Sequence, residues 1–425
     1  MAANEENDKD IPRPSLSKIL LEYVNDTVSS RSQALKDLHQ RVLVRVVNPI
    51  LSRIGHFDDR FQAGELDAGS CYVGLQHTKP YEFDCVVILH SLTSNKSLQT
   101  TDEGTCNSVF LDSSACDNPY VSKLPGYGFL VVDENKTLVH NLTSEQNDPV
   151  NSEQLVENEC FLCPKKVTSV FFKAVQRAVK ELQDEQWWEE EPSVFEVNVF
   201  RQGPAVTLTA YLTGEIFTIH LLPGVPFTSN WPETLRKWGP PSAVRPNPWL
   251  VSPLMREVME DFIAFPGQTP DQGDKRLWAM CFYYSEKKLC QITEENTSTI
   301  HREVKLALEA LCAENEEAFH PITPRLLRMV FLHQCMQFPH EQDWMPKKLG
   351  RAFVDLFLAV ITCTRSGSLP HFFIPQLDML GHLRKGDLKR VSRHLKAILN
   401  NIVENPSKTK FLPRKKLTRR KKVAL

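Results

Sequence analysis

The sequence predicts an α+β protein of two lobes, a mixed α/β lobe followed by an all-helical lobe. β-Branched residues with alternating polarity at Val194–Val199 and Val206–Leu222 are typical of strands. A proline-rich segment from Gly239 to Pro248 indicates a linker. After that segment, apolar residues recur at helical spacing, which predicts the second lobe.

These changes in pattern divide the 425 residues into four predicted parts. We expect residues 1–14, which are polar and acidic, to be disordered. Residues 15–238 are predicted to form the mixed core together with a long N-terminal helix, and residues 239–405 the helical lobe. Residues 406–425 form a basic tail.

The predicted elements follow from local signals. Ser15 is a plausible N-cap for an amphipathic helix, and a further helical stretch is expected to end or kink at Asn48-Pro49. Pro164 is predicted to begin a helix that buries one apolar stripe. The helices predicted in the second lobe are Met255–Phe265, Ser285–Cys290, His301–Cys312, Pro324–Met336, Leu349–Thr364 and Leu388–Val403.

Composition indicates an intracellular protein with a sizeable core. Hydrophobic residues make up 41% of the chain and charged residues 24%, and the net charge is −2. No apolar run approaches the about 20 residues of a membrane span, and no secretory leader is recognisable. The eleven scattered cysteines are therefore expected to be reduced, in the cytoplasm or also the nucleus.

One stretch concentrates the candidate chemistry. The small-residue turn Gly69-Ser70 precedes Glu82-Phe83-Asp84, which opens an apolar strand. Strand side chains alternate between faces, so Glu82 and Asp84 point the same way. Paired carboxylates can hold hard divalent cations, and a turn of this kind can offer N–H groups and a hydroxyl to phosphate. The pattern predicts metal-assisted phosphoryl or nucleotidyl transfer.

This stretch resembles the nucleotidyltransferase core of cyclic GMP-AMP synthase, of the animal cGAS-like receptors and of the related male-abnormal (Mab) proteins. In that family a Gly-Ser turn precedes a Glu-x-Asp pair at this spacing. Further similarities run from about residue 55 to about residue 400: Gly203–Leu208, Leu222-Pro223, Trp231-Pro232, Phe331–Cys335, Lys348–Gly350 and Phe372–Pro375. The resemblance implies a two-lobed nucleotidyltransferase fold with a long spine helix.

The resemblance also implies a two-metal site for Mg²⁺ or Mn²⁺, held by Glu82, Asp84 and a third acid. Here the sequence departs from the family, because His220 stands at the expected position of the third acid. His220 is either a nitrogen ligand, which suits manganese better than magnesium, or an ordinary strand histidine. Glu215 is the nearest carboxylate but would face the other side of a continuous strand.

Nucleotide contacts are implied at four positions. Gly69, Ser70 and Lys305 match phosphate-binding positions, although Lys305 could equally be a solvated helix lysine. Arg325 stands where the family has a base-stacking aromatic, and a guanidinium can also stack on a base. Ala279 replaces a base-contacting arginine.

Candidate nucleic-acid contacts are basic and weakly specific. No zinc ribbon is expected, because no cysteine follows Cys290 before His301 and Cys160-x-x-Cys163 lacks a second pair. If the family's sensing role applies, this favours double-stranded RNA over DNA. The tail could instead be solubilising, or could bind an anionic membrane or the nuclear import machinery. The candidates are Lys36, Arg41, Arg45, Arg414, Lys415, Lys416, Arg419 and Arg420.

Two hypotheses follow. The chain is either a cGAS-like enzyme that joins ATP and/or GTP into a cyclic dinucleotide, or a catalytically inactive relative that binds a nucleotide or a partner. The intact Gly-Ser turn and Glu-x-Asp pair favour the enzyme. The missing third carboxylate and Ala279 favour the inactive relative. The oligomeric state and the bases used do not follow from the sequence.

Overall fold

The structure is a computed structural model. It describes residues 13–25, 37–61, 81–89, 109–112, 126–132, 155–157, 161–187, 194–212, 214–228, 261–266, 275–295, 298–404 and 406. The chain forms two compact units. The mixed unit spans Ala34–Leu289 and Phe373–Leu377, and the helical unit spans Met1–Gln33, Cys290–Phe372 and Asp378–Leu425. This organisation confirms the predicted α+β fold class with a helical C-terminal part.

The described elements mix helices and strands up to Cys281, and the elements after it are helical. The helices are α1 (Arg13–Tyr23), α2 (Asn48–Phe57), α3 (Pro164–Asp184), α4 (Tyr283–Glu295), α5 (His301–Glu314), α6 (Glu316–Phe319), α7 (Pro324–Gln337), α8 (Leu349–Ser366) and α9 (Lys385–Glu404). The strands are β1 (Glu82–Ile88), β2 (Val109–Asp112), β3 (Tyr127–Val132), β4 (Val156–Glu157), β5 (Phe161–Leu162), β6 (Val194–Gln202), β7 (Ala205–Leu212), β8 (Glu215–Thr228), β9 (Asp261–Phe265) and β10 (Leu277–Cys281).

The strands form one mixed sheet in the order β4-β5-β3-β10-β9-β8-β7-β6, to which β1 adds beside β8 and β2 beside β3. The long strand β8 organises the sheet. Its first half pairs with β7 on one edge and, in parallel, with β1 on the other, and its second half pairs with β9. The carboxylate-bearing strand β1 is therefore held against the middle of β8.

One sheet face is covered by helix α3, which packs against β6, β7 and β8. As predicted, α3 begins at Pro164, and its buried stripe includes Val167, Phe171 and Val175. Leu208 and Ile219 are fully buried in the strands. Each large apolar side chain buried in this way stabilises the fold by about 1.5–3 kcal/mol. The other face carries polar side chains at the start of β1 and opposite them on β7 and β8, while Val86 and Ile88 further along β1 pack with Ile263 and Cys281.

Gly224 ends the part of β8 that pairs with β1, directly before the part that pairs with β9, and its lack of a side chain is required by close packing. A Cβ atom there would lie 2.7 Å from Ile263 Cγ2 and 2.8 Å from Val86 Cγ1. We expect Gly224→Ala to lower the free energy of unfolding by about 1–3 kcal/mol through overpacking. Urea unfolding followed by tryptophan fluorescence measures the change. Gly386→Ala is the matched control, since a Cβ there meets nothing within 4 Å; equal midpoints for the two variants would contradict this reasoning.

The helical segment that leads into the mixed unit does not end at Asn48-Pro49, where the sequence predicts an end or a kink. Residues 37–42 are α-helical, Leu43–Val47 form a π-helix, and α2 continues from Asn48. The Asn48 N–H donates to the Leu43 carbonyl, five residues back. A proline has no N–H to donate to the carbonyl four residues back, and its ring clashes with that carbonyl. The wider π-turn accommodates both the missing donor and the ring.

The helical unit confirms most of the helices predicted for the second half. The Ser17 hydroxyl accepts from the Gly350 N–H, which ties α1 to the first turn of α8. Thr323 caps α7 by accepting from the Leu326 N–H. Gly367 ends α8 in the left-handed conformation, with φ of 71°, which glycine adopts without strain.

Three predictions about elements are wrong. Residues 261–265 of the predicted helix Met255–Phe265 form strand β9, and the mixed unit extends to Leu289, past the predicted division at 239. The predicted strand stretch Val206–Leu222 is confirmed as strand and is divided at Gly214, with φ of 87°, into the hairpin of β7 and β8. The first helix begins at Arg13, so Ser15 is not its N-cap.

Among the described helices, none has the length and apolar character needed to cross a bilayer.

Candidate functional site

Glu82 and Asp84 lie at the start of β1, where the strand runs alongside β8. In the parallel register, Glu82 is opposite Thr218 and Asp84 is opposite His220. Residues in register on neighbouring strands project from the same face, and alternate residues of one strand share a face. The structure thus brings Glu82, Asp84 and His220 together on one face of the mixed sheet. Glu82 and Asp84 are both half-buried.

His220 is held between a carboxylate and a hydroxyl. Its Nε2 lies 3.5 Å from Glu82 Oε1, and the side chains are 13% and 27% exposed. Its Nδ1 shares a 2.9 Å hydrogen bond with the Thr207 hydroxyl. Thr207 is fully buried directly opposite His220 in the β7–β8 pair. The imidazole is therefore fixed with Nε2 towards Glu82.

Sequence reasoning missed Thr207, although a signal for it exists. Thr213-Gly214 is a two-residue connection between two alternating stretches, which is typical of a hairpin with a glycine at positive φ. Pairing Leu212 with Glu215 across that turn sets the register and places Thr207 opposite His220. Recognising the turn would have found the hydroxyl that orients the imidazole.

The hydroxyl of Thr207 can be tested by an isosteric change. We expect Thr207→Val to lower the free energy of unfolding by about 1–2 kcal/mol, because it removes one partner of a buried hydrogen bond. Thr207→Ser keeps the hydroxyl and is expected to preserve the ¹⁵N shifts of the His220 ring, which Thr207→Val alters. Unchanged ring shifts in Thr207→Val would show that Thr207 does not orient the imidazole.

Glu215 does not complete a carboxylate cage with Glu82 and Asp84. Strand β8 is continuous from Glu215 to Thr228, so Glu215 and His220 project from opposite faces. Burial raises the pKa of Tyr81, and the neighbouring Glu215 carboxylate raises it further. Glu215 is thus engaged with Tyr81, as expected for a residue outside the candidate site.

The donors on this face fit the metal complex of a nucleotide better than a resident metal ion. No group of three or more His, Cys, Asp and Glu side chains within the described ranges is arranged to hold a metal. Mg²⁺ in phosphoryl-transfer sites is commonly held by one or two carboxylates together with substrate phosphates. Glu82 and Asp84 can supply such carboxylates, and His220 Nε2 lies close enough to Glu82 to contribute a nitrogen donor.

Several candidates lie outside the described residues. They are Gly69, Ser70, Lys36, Arg414, Lys415, Lys416, Arg419 and Arg420. Arg41 is exposed on the helical segment 37–42, where its Nε donates to the Asp37 carbonyl at 3.4 Å, and Arg45 is half-buried in the π-helix. Their role as nucleic-acid contacts stays a prediction.

Lys305 and Arg325 belong to the helical unit. Lys305 is half-buried on α5 near Cys335. Burial raises the pKa of Cys335 well above its usual range, and the nearby Lys305 lowers that pKa. Arg325 lies in the first turn of α7. Burial lowers the pKa of His371 to about 3, and electrostatic interactions with Arg325 and His333 lower it further. Lys305 is therefore not a fully solvated helix lysine.

The segment that resembles the family's base-contacting motif is part of the core. Trp278 is fully buried in β10 and donates from Nε1 to the Leu162 carbonyl at 2.8 Å. Ala279 is also buried. Glu286 is fully buried on α4.

Comparison with known proteins gives two family matches. A model described as Mab-21 protein nucleotidyltransferase domain matches residues 71–291, and one described as Mab-21 protein HhH/H2TH-like domain matches residues 298–397. Two relatives named Protein mab-21-like, from Aedes aegypti and Anopheles gambiae, are each 21% identical over 369 residues, which is 85% of this chain and 87% of each relative. The first match alone spans more than half of the chain, and the chain belongs to the Mab-21 family, which also contains cyclic GMP-AMP synthase.

Proposed function

We propose that this chain is a cGAS-like nucleotidyltransferase that joins ATP and/or GTP into a cyclic dinucleotide and releases one pyrophosphate for each triphosphate consumed. Double-stranded nucleic acid, RNA in preference to DNA, is the proposed activator, and the proposed setting is innate immunity in the cytoplasm and also the nucleus. One observation carries the proposal. Glu82 and Asp84 share a sheet face with His220, which occupies the register position beside Asp84.

The proposed reaction assigns a role to each candidate residue. Glu82 and Asp84 bind the triphosphate as its Mg²⁺ or Mn²⁺ complex, with His220 fixed beside Glu82 by Thr207. The divalent cation neutralises charge on the phosphates when bound. Ser70 and Lys305 are proposed to hold phosphate oxygens, and Arg325 to stack on a base.

A direct assay tests the proposal. Purified full-length protein is incubated with the four nucleoside triphosphates, Mg²⁺ or Mn²⁺, and double-stranded RNA or DNA, and products are separated by chromatography. A cyclic dinucleotide that forms only with a duplex supports the proposal. Nucleotide binding without product under every condition contradicts turnover.

The contact between His220 and Glu82 favours a second candidate, a nucleotide- or partner-binding module without turnover. His220 Nε2 already lies 3.5 Å from Glu82 Oε1, so this carboxylate has a polar neighbour without a metal ion. The same assay separates the two functions, because the module binds triphosphate and releases no product.

His220→Asp discriminates further, since it places a third carboxylate beside Asp84. If the chain is an enzyme, we expect Mg²⁺-supported product formation to rise about tenfold or more, because Mg²⁺ prefers oxygen to imidazole. His220→Asn is the control that removes the imidazole without adding charge. Equal rates for the two variants would contradict a role for this position in holding the cation.

A further inference from the structure

Helix α9 presents a row of exposed cations. Lys385, Lys389, Arg393 and Lys396 are all exposed. At 3.6 residues per turn, these four positions fall within an arc of about 80°, and at 1.5 Å per residue the row is about 16 Å long. We call these four residues the α9 stripe.

The apolar side of α9 is already used. Leu388, Val391, Leu395 and Ile402 are at most 1% exposed, and α9 packs against α8 and α6. A helix that lies in a membrane interface needs its apolar side free to enter the lipid. The α9 stripe therefore offers charge alone to a partner.

The acids near the stripe do not neutralise it. Within α9, Asp387 pairs with Arg390 at 3.2 Å, and Glu404 lies about two turns beyond Lys396. The neighbouring helix α6 carries Glu316 and Glu317. In the part of the chain that the structure describes, no ion pair joins an acid to a member of the α9 stripe.

Four like charges on one side of a helix repel each other, and like charges at positions i and i+4 destabilise a helix by about 0.2–0.5 kcal/mol per pair. A polyanion removes that cost. A DNA duplex carries one negative charge per about 1.7 Å of its axis, and an RNA duplex likewise has one phosphate per nucleotide, so a row of this length meets several phosphates of either. Double-stranded RNA is recognised largely through shape and phosphate contacts, which requires no base-reading side chain.

We propose that the α9 stripe is a phosphate-contact surface for double-stranded nucleic acid, with RNA as the preferred duplex. This inference rests on the nucleic-acid activation included in the proposed function and assigns that contact to the helical unit. The basic tail continues the chain beyond Glu404 and adds cations to the same end of the sequence.

The test uses the full-length chain with Lys385→Gln, Lys389→Gln, Arg393→Gln and Lys396→Gln combined. Binding to a fluorescein-labelled RNA duplex of about 30 base pairs is followed by anisotropy over a series of KCl concentrations. We expect an affinity loss of about tenfold or more at low salt and a salt slope reduced by roughly 2–4, because each phosphate contact contributes about 0.9 to the slope. Circular dichroism checks that the variant is folded.

The matched control neutralises four exposed lysines on other elements: Lys18, Lys165, Lys180 and Lys275. The proposal requires the control to bind RNA like the wild type. Equal losses in both variants, or no RNA binding by the wild type, overturn it. The proposal is also overturned, in favour of a membrane, if the α9 stripe variant loses binding to vesicles containing phosphatidylserine and binds RNA as the wild type does. A DNA duplex in parallel tests the preference: tighter binding of DNA than of RNA overturns the RNA assignment.

Failure of this inference can be told from failure of the proposed enzyme. The combined variant Glu82→Ala and Asp84→Ala leaves the α9 stripe intact and is expected to bind RNA with wild-type affinity. A loss of RNA binding in that variant would contradict the assignment of the contact to α9, whereas a wild type that binds RNA and makes no product contradicts only the enzyme.

Discussion

Replacing both Glu82 and Asp84 by alanine is expected to reduce cyclic dinucleotide formation at least about 1,000-fold, equivalent to about 4 kcal/mol of transition-state stabilisation. The two carboxylates share one face of β1, where they can hold the cation that accompanies the triphosphate. Without them, the triphosphate lacks the cation that offsets its charge. Initial rates with radiolabelled ATP and GTP measure the effect.

The control for this double variant is Glu196→Ala with Glu215→Ala. These carboxylates are exposed on β6 and β8, and their removal changes the net charge by the same amount. We expect the control to keep at least half of the wild-type rate. A wild-type rate in the Glu82 and Asp84 variant would remove these residues from the mechanism.

Acidification from pH 7.5 to 5 is expected to lower the free energy of unfolding of the helical unit by about 4 kcal/mol. Burial lowers the pKa of His301 to about 4, and burial, Arg325 and His333 lower that of His371 to about 3. An unfolded histidine has a pKa of about 6.5, so between pH 6.5 and 4 the unfolded chain binds protons that the folded chain does not. The contribution of the two neutral histidines to the free energy of unfolding is therefore fully present above pH 6.5 and is lost as the pH falls. At pH 5 the loss is about 2 kcal/mol per histidine.

The packing around these histidines explains why they stay neutral. His301 is 6% exposed, stacks on Trp344 with ring centroids 4.1 Å apart and shares a 2.8 Å hydrogen bond with Thr299. His371 is 1% exposed. Urea unfolding at the two pH values measures the loss. His371→Gln should remove about half of the pH sensitivity, and the exposed control His382→Gln none of it; equal pH sensitivity in wild type and His371→Gln would contradict the assignment.

The sequence was sufficient to predict the placement of the two acids on one strand face and the position of His220. The first follows from strand alternation, and the second from the family resemblance. The amphipathic helices α3, α5, α7, α8 and α9 were also predictable, because each buries a stripe at helical spacing.

The wrong and missed predictions concern residues whose conformation or role is decided by pairing with distant parts of the chain. Residues 261–265 are strand because they pair with β8 and β10, and a short apolar run gives no periodic signal that separates strand from helix. The continuous helix through Pro49 depends on the π-turn at Leu43–Val47, which no local sequence pattern predicted. Thr207 was missed because its role depends on the hairpin register.

The central claim is that Glu82 and Asp84 bind the metal complex of a nucleoside triphosphate. Calorimetric titration of the full-length protein with a non-hydrolysable ATP analogue, with and without Mn²⁺, tests it most directly. We predict that Mn²⁺ raises the affinity at least about tenfold for the wild type and leaves it unchanged for Glu82→Gln with Asp84→Asn. Equal affinity with and without Mn²⁺ in the wild type, or an undiminished Mn²⁺ effect in the variant, would contradict it.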